Sequence, residues 1–352
     1  MRTRIVAVLV FAAVLTAACG SDGAPSGSGA SDETVTLVTH NSFAVSKRVL
    51  AAFTNETGIT VKVLKNGDAG AALNQAILTK DNPLGDAFFG VDNTFLSRAL
   101  GAGIFVPFTP SAVSQVPESL RLDDRGRVTP IDVGDVCVNY DKRWFAREGV
   151  PVPTTLDDLA KPEYRGRLVV ENPATSSPGL AFLLASVAKF GDDGWDAYWS
   201  RLRDNEVKVV DGWEQAYNNE FSAGSGHGDY PLVVSYASSP PAEVYYADPT
   251  PATAPTAVIT ETCFRQIEFA GVLKGAAHPD AARQLVAFML SERFQADIPL
   301  QMFVFPAVTG TPLPSVFTQY ATIPPDPFTL PPAEIGAQRD QWIEQWTNTV
   351  LR

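Results

Sequence analysis

The chain has 352 residues, 45% of them hydrophobic, and a formal net charge of −12. That length and apolar fraction suffice for two cored domains, and the acidic balance excludes a basic nucleic-acid footprint. With no Cys-x-x-Cys and three widely spaced histidines, no metal site is expected.

The N-terminus has the layout of an export signal. A basic "MRTR" precedes "IVAVLVFAAVL", an apolar run too short to span a membrane as a helix, and small residues lead to Cys19. "LTAAC" resembles a bacterial lipoprotein signal, with Thr16 where such signals usually carry Leu. The resemblance implies that residues 1–18 are removed and that lipidated Cys19 holds the protein on the outer face of the cytoplasmic membrane. An ordinary secretory signal with an incidental cysteine is the alternative. Residues 19–33 are rich in Gly and Ser and read as a flexible tether. Two cysteines then remain, Cys137 and Cys263. In an oxidising compartment an even pair reads as a disulfide, with two buried thiols as the alternative.

Beyond the tether, strands and helices alternate. "VTLVTH" reads as a strand, and the next helix puts Val45, Val49, Ala52 and Phe53 on one face before Gly58 stops it. "ITVKVL" and "DAFFGV" are further strands, separated by the helix "AALNQAILTK". In "DNTFLSRALG" Asp92 reads as an N-cap and Gly101 as the residue past the end. This order predicts a parallel sheet with helices on its faces. "GRLVVENP" opens a second such region. The helix after it reads with Ser177 as N-cap, Pro178 at the first helical position and Gly191 past its end. Trp195, Tyr198, Trp199 and Leu202 recur at helical spacing, as a buried face does. "EVKVV" and "YPLVVSY" are further strands of what reads as a second sheet.

Two long extended stretches, 128–141 and 263–275, lie between these regions. If each crosses from one sheet to the other, the chain forms two lobes around a cleft. Lobe 1 would hold residues 34–134 and 266–352, lobe 2 residues 135–265, and a Cys137–Cys263 bond would staple the hinge. Ligands of such α/β sheets bind beyond the carboxyl ends of the strands. Polar and aromatic residues gather at those ends: His40, then Asn66 and Gly67, then Ser176 and Ser177, then Trp213 with Tyr217, then Tyr236, Ser238 and Ser239. Helix N-termini hold hydroxyl or phosphate groups, and aromatic faces attract flat cations. Taken singly, Ser177 and Ser239 are also good helix caps and Trp213 a plausible packing residue.

The segments "THNSFA", "NGDAGAALN", "NPATSSPGL", "DGWEQAY" and "LVVSYASSP", with "FMLSERFQADIP" and "PAEIGAQRDQWIEQW" near the C-terminus, resemble the thiamine-binding substrate-binding proteins of ABC importers. The resemblance runs from about residue 35 to 352. It implies a type II periplasmic-binding-protein fold, uptake of thiamine or its phosphates, an ABC permease and ATPase as partners, no cofactor and a monomer. It carries ligand contacts onto Ser176, Ser177, Trp213, Tyr236, Ala237, Ser238 and Ser239. The family's Asp-Gly pair falls on Asn66 and Gly67, its first-strand aromatic on His40, and a tryptophan on Phe303, so the charge and stacking features are expected to be weaker here. Rival readings are a ferric-iron binder using Tyr245 and Tyr246, a polyamine binder with carboxylates in the cleft, and a secreted enzyme. The only enzyme cue is Ser225, His227 and Asp229 in "AGSGHGDY", which does not satisfy G-x-S-x-G.

Overall fold

The computed structural model describes residues 33–352; the signal segment, Cys19 and the tether up to residue 32 lie outside them. The first strands are β1 (Glu33–Thr39), β2 (Ile59–Lys65), β3 (Ala87–Asp92), β4 (Phe105–Val106) and β5 (Thr129–Asp141). There follow β6 (Leu168–Glu171), β7 (Lys208–Val210), β8 (Leu232–Tyr236), β9 (Thr256–Leu273) and β10 (Phe305–Pro306). The helices of the first half are α1 (Lys47–Thr57), α2 (Ala69–Leu78) and α3 (Leu96–Ala102). The middle of the chain adds α4 (Lys142–Glu148), α5 (Leu156–Leu159), α6 (Ser177–Phe190), α7 (Trp195–Asp204) and α8 (Pro240–Tyr245). The last are α9 (Pro279–Phe288), α10 (Glu292–Gln295), α11 (Ile298–Gln301), α12 (Ser315–Tyr320) and α13 (Pro332–Val350). No helix among the described residues is long and apolar enough to cross a membrane.

The described strands form one sheet in the order β2-β1-β3-β9-β5-β8-β6-β7, with β10 beside β5 and β4 beside β9. The expectation of a separate second sheet is thereby corrected. β1, β2 and β3 are parallel, as are β8, β6 and β7, and the long strands β5 and β9 run antiparallel between the two groups. Both long strands are crossovers. The amino-terminal part of β5 faces β10 while its carboxyl-terminal part pairs with β8. Their ladder breaks between Val136 and Val138, where Val138 N–H donates to the Thr262 hydroxyl. Cys137 and Cys263 sit at that break and are joined by a disulfide with a Cα–Cα distance of 4.1 Å.

Local chemistry explains most boundaries. Gly58 takes φ +76°, a left-handed conformation that ends α1 after Val49 and Phe53 have turned inward. Asp92 does not cap α3 directly. Its carboxylate accepts from the N–H groups of Thr94 and Phe95 in the turn before the helix, and Gly103, not Gly101, carries the left-handed end. On α6 the N-cap is Ser176, whose backbone is still extended at φ −123° and ψ 133°, so Ser177 and Pro178 are the first helical residues. Trp195, Tyr198, Trp199 and Leu202 of α7 are buried, as their spacing predicts. The segment after β7 is not an ordinary helix. Residues Gln215–Glu220 form a π-turn, with Phe221 N–H donating to the Ala216 carbonyl, and the loop 224–228 lies against its carbonyls. The C-terminal run is shared between the two halves, since α13 packs on both α3 and α7.

Candidate functional site

A cleft of about 490 Å³ opens where the carboxyl ends of both groups of parallel strands meet, a volume suited to a small organic ligand. One wall is aromatic. Trp213, opening the π-turn, stacks on Tyr217 with ring centroids 5.2 Å apart and planes 15° from parallel. The edge of Tyr236, at the end of β8, meets Trp213 at 6.3 Å. The indole is oriented by Trp213 Nε1–H donating to Ser235 Oγ at 2.9 Å; Ser235 Oγ in turn lies 2.9 Å from Ser239 Oγ, which accepts from Tyr236 N–H. A second anchor reaches across the cleft: Trp213 N–H donates to the Asp68 carboxylate at 2.9 Å. Gly212 permits this approach, because a Cβ there would lie 2.9 Å from Asp68 Oδ2.

The opposite side is acidic. Asp68, at the N-cap of α2, and Glu268, on β9, both line the cleft. His40, at the end of β1, is buried with Nε2 3.3 Å from Glu268 Oε1, within ion-pair reach but outside hydrogen-bond alignment. Burial alone would lower the imidazole pKa; the charges of Glu268 and Asp68 outweigh it and carry it above its ordinary value. His40 fits only because Gly90 lies beside it at φ +101°, at the register shift in β3. A Cβ on Gly90 would sit 2.2 Å from the ring. Behind Glu268 the sheet carries two more carboxylates in register, Asp92 on β3 and Asp132 on β5. Burial raises the Asp92 pKa to about 6 against the opposing hydrogen bonds from Thr94 and Gln266. Burial and then Glu268 put Asp132 well above the ordinary carboxylate range.

At the N-terminus of α6, Ser176 and Ser177 are buried with hydroxyls that have no protein partner, and Ser177 faces the cleft. The free N–H groups of the first turn point the same way as the helix dipole, toward an anion or hydroxyl.

Of the ligand contacts read from the sequence, His40, Ser177, Trp213, Tyr236, Ser239 and Phe303 line this cleft, and so do Tyr217, Ser225 and Tyr246. Asn66, Gly67, Ser176, Ala237 and Ser238 do not. Asn66 lies in a separate small recess with Val38 and Ala76, and its backbone N–H is spent on the Thr39 carbonyl. Gly67 faces an adjoining outer groove with Thr175 and Gly212. Ala237 packs on the cystine. Ser238 is buried with its hydroxyl donated to the Phe303 carbonyl at 2.7 Å. Ser176 stays one residue short of the cleft, in the turn. Position 66 carries no carboxylate, but Asp68, two residues on, places one on the cleft wall. Sequence reasoning also missed Glu268, although a lone acid in the apolar strand "QIEFAGV" was its signal. Ser225, His227 and Asp229 do not assemble: Ser225 donates to the Asn218 carbonyl in a loop that props the π-turn.

A two-lobed protein with a hinge of two crossover strands and an aromatic, acidic interlobe cleft is built to hold a solute. The profile of the family described as "Bacterial extracellular solute-binding protein" matches residues 82–321, and the chain belongs to that family. It is 29% identical over 323 residues to the thiamine-binding periplasmic protein of Escherichia coli strain K12, covering 90% of this chain and 94% of that one. It is likewise 29% identical over 331 residues to the thiamine-binding periplasmic protein of Brucella suis biovar 1, with coverage of 91% and 93%. The solved structure of a periplasmic thiamin binding protein superposes with a TM-score of 0.79 at 27% identity, covering 91% of this chain and 96% of that chain. The fold is the type II periplasmic-binding-protein fold, and the protein is a binding protein rather than an enzyme.

Proposed function

We propose that the protein is the extracytoplasmic solute-binding lipoprotein of an ABC importer, and that it binds thiamine, a thiamine phosphate, or both. The observation that carries this reading is the pairing of the Trp213–Tyr217 stack with the carboxylates of Asp68 and Glu268 in one cleft. A flat ring cation gains from both, by stacking and cation–π attraction on one side and by charge on the other. The unpartnered Ser177 hydroxyl at the α6 N-terminus supports placing the hydroxyl or phosphate end there. The two lobes are taken as residues 34–134 with 266–352, and residues 135–265. Export, lipidation of Cys19, release to a permease and a monomeric state belong to the same proposal. A polyamine is the second reading, since Glu214 and Glu243 join Asp68 and Glu268 on the cleft wall; the aromatic stack favours thiamine over it.

Calorimetry of the purified protein with thiamine, thiamine monophosphate and spermidine tests the assignment. One-to-one binding of thiamine or its phosphate is expected. Binding of neither at millimolar concentration defeats the thiamine reading, and binding of spermidine alone replaces it. Anchoring is tested separately: Cys19→Ala should move the protein from the membrane fraction to the soluble fraction, and an unchanged distribution defeats the lipoprotein reading.

A further inference from the structure

Phe303 adopts φ +54°, a conformation costly for a residue with a Cβ. Its carbonyl is held by the Ser238 hydroxyl. The strained turn aims the ring at two tyrosines where α8 ends. Phe303 lies 5.6 Å from Tyr246 and 6.1 Å from Tyr245, each pair inclined at 58°, and the two tyrosines meet edge-on at 5.0 Å. Tyr245 and Tyr246 are 48% and 68% exposed, among the few large hydrophobic side chains left in water. Tyr246 and Phe303 also line the cleft that holds Trp213 and Tyr236. An exposed aromatic cluster at a cleft mouth, supported by a strained and hydrogen-bonded backbone, marks a binding surface.

We propose that Tyr246 is a ligand-contacting residue: with Phe303 it forms an aromatic lid over the ring of a heteroaromatic cation in the cleft, and Ser238 is the positioning residue that sets Phe303. The proposal rests on the aromatic-cation reading of the site. The working part of Tyr246 is its ring and not its oxygen. Partial desolvation by its neighbours and then Tyr245 hold its hydroxyl above the usual tyrosine range, which disfavours the phenolate that metal ligation needs. Among the described residues no cluster of His, Cys, Asp and Glu could hold a metal ion beside it.

The test is thiamine titration of the full-length protein by calorimetry and Trp fluorescence. Tyr246→Ala should weaken binding about tenfold, the size of a lost ring contact with a cation, while saturating thiamine still quenches Trp213. Tyr246→Phe should recover most of that loss. Ser238→Ala should weaken binding in the wild-type background and have no further effect in a Phe303→Ala background. Wild-type affinity in Tyr246→Ala overturns the lid. Loss in Tyr246→Phe as large as in Tyr246→Ala also overturns it, because the hydroxyl would then be the working group. Additive effects of Ser238→Ala and Phe303→Ala remove the positioning role. If the wild type binds no thiamine, the ligand reading falls and the lid, as stated, falls with it; wild-type binding that Tyr246→Ala leaves untouched sinks the lid alone.

Discussion

The carboxylate of Asp68 accepts the backbone N–H of Trp213 at 2.9 Å, joining residues 145 positions apart on opposite walls of the cleft. The same carboxylate caps α2 through Ala69 N–H. It is therefore held from both walls, and it lines the cleft between them. The Ala71 N–H bond to the Thr175 carbonyl, 3.2 Å, runs alongside and closes the same seam.

Asp68→Ala removes a charge-assisted hydrogen bond and a ligand-facing carboxylate together. Such bonds are worth about 1.5–3 kcal/mol, so thiamine binding should weaken by at least tenfold. Asn66→Asp, two residues earlier and in its own recess, should change affinity less than twofold. Calorimetry on both variants decides between the two positions: an effect at Asn66 as large as that at Asp68 would show that the cation is read from the strand end and not from the helix cap.

Trp213→Ala deletes the central ring of the aromatic wall. The lost stacking and cation–π attraction amount to about 1–3 kcal/mol, or roughly ten- to a hundredfold in Kd. Ser177→Ala should discriminate between ligands, weakening thiamine monophosphate more than thiamine. Equal losses for both would take the phosphate end away from the α6 N-terminus.

The buried acid row makes stability depend on pH in a defined sense. Asp92 has a folded pKa of about 6 against an ordinary value of 3.8. Between those pH values the folded protein keeps a proton that the unfolded chain has released. The contribution is thus complete below pH 4 and is lost as pH climbs through 6, on the order of 3 kcal/mol in total. His40, also raised, loses its contribution in the same direction as pH rises through its folded pKa. Asn imitates protonated Asp, and Gln266 can turn its amide to match, since its Oε1 has no partner. The difference in Tm between Asp92→Asn and wild type should therefore grow in favour of the variant from pH 4 to 6. A flat difference would place Asp92 in its ordinary ionised state.

The cystine closes a 126-residue separation between the hinge strands. On the chain-entropy model a loop of that size is worth on the order of 4–5 kcal/mol. The Cys137→Ala/Cys263→Ala double variant should lose stability of that order in urea unfolding at neutral pH. A midpoint within error of the oxidised wild type would mean that the buried packing around Ala237 suffices without the bond.

What could be read in advance follows from the range of the interaction involved. The order β1-α1-β2-α2-β3 depends on periodicity and stop signals within a few residues, and it was legible. So were the crossovers, read over 128–141 and 263–275 from long extended runs, although β9 starts earlier, at Thr256. The single sheet was not legible, because the pairing of β3 with β9 joins Ala87 to Val272 and leaves no local mark. The π-turn escaped because its cause is the loop 224–228 packed on its carbonyls, not the sequence of the turn. In the site, the aromatic wall was legible from Trp213 and Tyr217 at helical spacing. Asp68 was missed because the reading stopped at Asn66–Gly67, and only the direction of the α2 N-cap shows which side chain turns inward.

The shared sheet has a kinetic consequence. β3 pairs with β1 early but gains its second neighbour only when β9 is in place, and β9 pairs with β5 along most of its length. The first half, although it begins the chain, thus cannot finish folding until residues 256–273 have arrived, and α13 must then find α3 and α7 together. Such long-range closure makes folding slow for the chain's size. The exposed edge of β3 would remain open throughout that wait, so a helper that shields an unpaired strand should raise the yield of refolded protein more than one that catalyses local turns.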